Sequence, residues 1–175
     1  MSRRSAARWM LAAILPWLVA CGYHLAGRGA VLPASTRVVA VLPFANHTRQ
    51  PQLGQALGAA VAQEFQQRAH YRIQPVLAGS DVAVHGDVRS LQATPVTFDA
   101  ASGRATTVEV VMHVQVWLTA EPGGREIYRN NDLVFHEQYQ ISTEQQNFFE
   151  ENSSAYQRLS REAAQTVVAN ILEAF

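Results

Sequence analysis

TTVEVVMHVQVWL, residues 106–118, alternates without a break. Thr106, Val108, Val110, Met112, Val114, Val116 and Leu118 fall on one side. Thr107, Glu109, Val111, His113, Gln115 and Trp117 fall on the other. A sustained period of two marks a long strand with one face in a core and the other polar. A helix cannot use this segment, because its period of about 3.6 would scatter the same valines around the cylinder.

Outward from that strand, the neighbouring segments extend it into a sheet. EPGGR, residues 121–125, predicts a hairpin turn, and IYRNNDLVFHEQYQI, 127–141, an antiparallel partner interrupted near Asn130 and Asn131. TFDAASGRA, 97–105, predicts the turn on the other side. Before it, residues 81–89 place Val82, Val84 and Val88 on one face and Ala83, His85, Asp87 and Arg89 on the other. Gly86 on the apolar face marks a close approach or a bulge. RVVAVLPF, 37–44, is apolar on both faces, as an interior strand should be. YRIQPVL, 71–77, is a further strand whose later half Pro75 confines to an edge or a bulge.

Two helices complete the pattern. Leu53, Leu57, Val61 and Phe65 recur every fourth residue in LGQALGAAVAQEFQQR. Gly54, Gly58 and Ala62 share that helix, either to permit close approach to a sheet or through composition alone. Ser153 or Ser154 is expected to cap a last helix, with Gln157 in capping-box position to Ser154. Its stripe is Tyr156, Leu159, Ala163, Val167 and Ile171, running to about residue 174. The order β-α-β-β-β-β-α predicts an α+β two-layer sandwich, a mixed four- to five-stranded sheet with both helices on one face. The polar column from Thr107 to Gln115 then lies on the open face.

Composition narrows the function. The chain has 175 residues and balances 14 basic against 14 acidic side chains; every basic one is arginine. Arg3, Arg4 and Arg8 precede the apolar run WMLAAILPWLVA, 9–20, the layout of a secretory signal peptide. That run is too short to span a hydrocarbon core, and Pro16 interrupts it. It ends at Leu18-Val19-Ala20-Cys21, which is similar to a bacterial lipobox. Cys21 is the only cysteine, so it has no disulfide partner within the chain. No clustered base and orienting group suggest a catalytic thiolate. Acylation of Cys21 is the expected use, giving a signal peptide at 1–20, a lipidated tether at 21–36 and one domain at 37–175. Beyond residue 20 the chain carries 11 arginines against 14 carboxylates, a balance that disfavours nucleic acid. Any anionic ligand must be held by arginine forks or backbone amides.

Motifs for catalysis are missing from the sequence, which has no GxSxG, HExxH, P-loop or GxGxxG. The histidines at 24, 47, 70, 85, 113 and 136 show no metal-site spacing, and His85 and His113 fall on polar strand faces. Glu150 and Glu151 suit the positive end of a helix. No catalytic set, metal or cofactor is indicated, and the expectation is a binding or assembly protein.

Cys21-Gly22-Tyr23-His24-Leu25, then VLPFANHT at 41–48, a helix, and SDVAVHGDV at 80–88 occur in a distinctive order. With the alternating strand, the PGG hairpin and the C-terminal helix, the sequence resembles the LptE family of lipopolysaccharide-assembly lipoproteins. The resemblance implies a two-layer α/β domain anchored to the inner leaflet of the outer membrane. It further implies insertion into the lumen of the β-barrel LptD, as plug and assembly partner, and binding of lipopolysaccharide. Gly22 after the cysteine fits outer-membrane retention. LPF-A-N is also similar to curli-secretion and penicillin-binding-protein-activator lipoproteins. The alternative is therefore a lipoprotein regulator or secretion-ring component docking on another envelope protein. The resemblance further implies basic residues, lysine in some family members, in the loops beside the long strand, holding lipid A phosphates. Here Arg104, in the turn, and Arg89, on the polar face, are the candidates, either converging on one headgroup or standing as separate solvated charges.

Overall fold

The computed structural model describes residues 31–141 and 148–173, so the expected signal peptide, Cys21 and most of the expected tether lie outside the described residues. The elements are β1 (Val38–Val41), β2 (Ala45–Asn46), α1 (Leu53–Arg68), β3 (Arg72–Gln74), β4 (Val82–Phe98), β5 (Ala105–Ala120), β6 (Arg125–Gln140) and α2 (Phe148–Leu172). The sheet runs β3-β1-β4-β5-β6, with the two-residue β2 also on β4. β1 is parallel to β3 and β4, whereas β4, β5 and β6 form an antiparallel meander. The fold class is α+β, a mixed open sheet with two helices.

β5 fulfils its alternation. Val110, Met112, Val114, Val116 and Leu118 are fully buried and Val108 nearly so. They share one core with Leu53, Leu57, Val61 and Phe65 of α1 and with Ala155, Leu159, Ala163, Val167 and Ile171 of α2. Both helices therefore cover the same sheet face. Each fully buried valine, leucine or phenylalanine stabilises by about 1.5–3 kcal/mol, so this layer dominates folding.

Phe44 explains the sequence around it. A Cβ on Gly54 would lie 2.4 Å from the Phe44 carbonyl oxygen, and one on Gly86 would lie 2.2 Å from its ring. The ring is wedged between α1 and β4, and only glycine leaves room. Gly86 thus marks a close approach, and Gly54 serves packing. Asn46 then shapes the turn into α1, donating to Gln50 O at 2.7 Å and accepting from the Thr48 amide at 3.0 Å and hydroxyl at 2.8 Å.

Three local expectations are corrected. β4 does not stop near Arg89 but continues to Phe98, confining the turn to residues 99–104. Arg89 is an extra residue between the pairs Val88↔Val114 and Ser90↔His113. That bulge reverses the parity of the strand, so Leu91, Ala93 and Pro95 oppose Met112, Val110 and Val108 on the helix side. Second, α2 begins at Phe148, and Ser153 and Ser154 lie inside it rather than capping it. No glycine or proline in 148–152 stops the helix earlier, and the Ser154 hydroxyl accepts from Arg158 Nη1 one turn on, at 3.3 Å. Third, Gln115 is not solvated; only 7% of it is exposed. The interruption near Asn131 is where two residues of β6 oppose Gln115, between Asn130↔Val116 and Leu133↔Val114.

Candidate functional site

The open face is built rung by rung from the polar sides of β4, β5 and β6. At one rung the register aligns His85, Trp117 and Arg129. His85 stacks on Trp117 with ring centroids 5.2 Å apart and planes 5° apart, and the Arg129 guanidinium lies 5.1 Å from the Trp117 ring centre. Since these neighbours come from the strands on either side, the indole is clamped upright. It offers no free face on which a sugar ring could stack. Arg129 is also bound to Glu126, whose carboxyl it holds below the usual carboxylate range.

Thr119 donates its hydroxyl proton to Glu121 at 2.9 Å, so His85 Nε2, 3.0 Å from Thr119 Oγ1, is the donor of that pair. Burial lowers the His85 pKa from its ordinary value, against the field of Glu121, which raises it. Farther along the face, Gln115 accepts from Arg89 Nε at 3.1 Å and donates to Asn131 at 2.9 Å. Asp87 sits 3.4 Å from Arg89 Nε and 3.1 Å from His47 Nε2. His113 Nδ1 lies 2.8 Å from Asp132 and His136 Nδ1 lies 3.8 Å from Glu109. The polar column is a lattice of lateral pairs rather than a row of free groups.

Arg104 occupies a different place. Asp99 closes its turn: the Asp99 amide donates to Arg104 O at 2.8 Å, and its carboxylate accepts from the Ser102 amide at 2.7 Å and hydroxyl at 2.6 Å. Those bonds, the hydroxyl's first, lower the Asp99 pKa. Arg104 is exposed at the tip, beside Phe98 at 59% and Val96 at 44% exposure. Neither Val96 nor Phe98 stands out by periodicity in the sequence. Bulky apolar side chains bordering a polar turn were the available signal. Arg89 and Arg104 do not converge. Seven ladder steps, eight residues along each strand with one bulge on either side, separate Ser90↔His113 from Phe98↔Ala105, about 23–26 Å at the rise of a strand.

At the opposite end of the sheet, a cleft of about 650 Å³ is lined by Arg37, Arg68, His70 and the end of α2. Arg68 pairs with buried Glu64, and the helix ends add partial negative charge, so the cations there are balanced locally. Among the described residues no group of three or more His, Cys, Asp or Glu side chains could hold a metal ion. No described helix is long and apolar enough to cross a membrane.

The family model LptE, lipopolysaccharide-assembly, matches residues 36–171. The chain belongs to the LptE family. The match takes in everything from the start of β1 to the last turn of α2, so the open face and the 99–104 turn are parts of an LptE domain. No curated protein matches the chain. Solved structures with the same fold include lipoprotein B from Nitrosomonas europaea, at 15% identity and TM-score 0.56 over 83% of this chain and 88% of that one. Rare lipoprotein B from Shewanella oneidensis aligns at 11% identity and TM-score 0.53, over 74% and 92%. A lipoprotein from Caulobacter crescentus aligns at 14% identity and TM-score 0.53, over 74% and 87%. At such identities these structures show the fold alone, and the family match carries the assignment to lipopolysaccharide assembly.

Proposed function

We propose that this LptE-family domain is tethered to the outer membrane through acylated Cys21, sits in the lumen of an LptD-like β-barrel, and binds lipopolysaccharide during its passage outward. The family match over residues 36–171 carries this reading. The open face supports it on physical grounds. A barrel lumen is polar and wet, and a sheet face whose polar groups already pair laterally enters it with few donors left unsatisfied. The tip of the β4–β5 hairpin suits an amphiphile with an anionic head. Arg104 can grip a phosphate bidentately while Phe98 and Val96 meet apolar chains. Arg89, already on Gln115 and Asp87, is the weaker candidate for that contact.

Purification of tagged protein from a mild detergent extract tests the reading. It predicts recovery of a large β-barrel; recovery of a cell-wall synthase or a ring of identical subunits instead would refute it. The anchor is tested separately: Cys21→Ala should lose acyl label and outer-membrane fractionation, and label retained on that variant would exclude Cys21. Arg104→Glu should weaken lipopolysaccharide binding in a salt-sensitive way while barrel recovery is kept. Unchanged affinity in a folded Arg104→Glu protein would remove the tip from the site.

A further inference from the structure

Five large apolar side chains are exposed among the described residues. Val96 and Phe98 border the hairpin tip, and Val134 lies on the open face. Val76 and Leu77, 54% and 44% exposed, belong to neither. They sit in the loop between β3 and β4, where Pro75, Val76, Leu77 and Ala78 form an unbroken, exposed and uncharged apolar run. Such runs are avoided on a purely solvated surface and mark a contact.

The loop is held in shape by its own polar groups. The Gln74 side-chain amide donates to the carbonyls of Val76 and Ala78, both at 2.8 Å. Ser80 donates to Leu77 O from its amide at 3.1 Å and its hydroxyl at 2.7 Å. Asp81 then ties the end of the loop to β1. Its amide donates to Val38 O at 2.9 Å, and its carboxylate accepts from the Arg37 and Val38 amides at 2.7 and 2.9 Å. The carbonyls of residues 76–78 are thus satisfied internally, which is what an apolar medium demands of a backbone entering it.

The place of the loop in the fold names its occupant. Asp81 sets it beside the start of β1, and the described chain reaches that strand through the turn in which the Thr36 amide donates to Pro33 O at 2.9 Å. From Cys21 to Val31 even a fully extended chain spans only about 35 Å. An acyl anchor at Cys21 therefore keeps this end of the domain nearer the bilayer than the hairpin tip, which lies the whole 17-residue length of β4 away. Arg37 and Arg72, both exposed, stand at the same end, at the starts of β1 and β3, and suit headgroup phosphates.

We infer that the β3–β4 loop is a membrane-docking element, inserting Val76 and Leu77 into the interface of the leaflet that holds the anchor. The choice of a bilayer rests on the proposed acylation of Cys21. One point of attachment leaves a domain free to rotate. A second, apolar contact at the same end fixes the hairpin tip pointing away from the surface.

The test places the full chain in vesicles of phosphatidylethanolamine and phosphatidylglycerol that contain a trace of phosphatidylethanolamine with a photoreactive diazirine in its acyl chain. After illumination, tryptic peptides are mapped by mass spectrometry. Label is expected within residues 75–78, and little on the peptide 90–104, although it carries the equally exposed Val96 and Phe98. Val76→Ser combined with Leu77→Ser should cut the loop label at least fivefold with the melting temperature unchanged, both positions being exposed. The same digest reads acyl mass on Cys21, so failure of the anchor and failure of the loop are separate results. Label concentrated in the loop upholds docking whether or not acyl chains are found. An unlabelled loop, equal label on loop and tip, or label unchanged in the folded double variant would overturn it.

Discussion

The two faces of β5 are built on opposite principles. On the helix side, Val108 to Leu118 are apolar, almost wholly buried and interchangeable in kind, and their contribution follows the area they remove from water. On the open side, Gln115, Trp117 and Thr119 are each fixed by a specific partner on a neighbouring strand. The first face makes the fold, and the second gives it a surface that is ordered before any partner arrives. The difference predicts that equal truncations will have unequal and qualitatively different effects on the two sides.

The largest effect belongs to the covered face. Met112→Ala, at a fully buried position, should cost about 2–5 kcal/mol of unfolding free energy by denaturant titration, and Val114→Ala about 1–3. The wedge at Phe44 comes next. Gly86→Ala drives a methyl into its ring and should cost about 1–3 kcal/mol through overpacking, although it adds apolar volume. A neutral result would mean that Phe44 moves aside freely.

Gln115→Ala should cost about 1 kcal/mol, through lost bonds to Arg89 and Asn131 rather than a cavity. A loss as large as that at Val114 would erase the distinction between the faces. The smallest effect is a pH dependence. Burial lowers the folded pKa of His85, so the unfolded chain takes up the proton first. Its contribution is intact above pH about 6.5 and falls as the pH drops through that ordinary imidazole value, levelling off below the folded pKa. His85→Gln should flatten this segment of the stability–pH curve; an identical curve would assign the dependence elsewhere.

Much of this was legible in the residues, for identifiable reasons. β5, α1 and the covered face follow from periodicity because one solvent boundary imposes one repeat. The outer half of β4 was hidden because the bulge at Arg89 shifts the alternation by one residue, and because Pro95 suggests a break. The start of α2 was misplaced because a serine pair that looks like a cap also tolerates a helix interior. At the candidate site, Arg89 and Arg104 could be named by chemistry, but their separation depends on a register no local pattern encodes. The burial of Gln115 depends on the opposing bulge in β6, which only the folded sheet reveals.

On the proposed reading the open face, rather than the helix layer, meets the partner barrel. Photocrosslinking from single positions in living cells tests it most directly. The probe is placed at Val134 or His136 on the open face, and at Glu162 or Gln165 on the exposed side of α2. Barrel adducts are expected from Val134 and His136, and few or none from the helix positions. Adducts confined to Glu162 and Gln165, with the open-face probes silent in a folded protein, would contradict it.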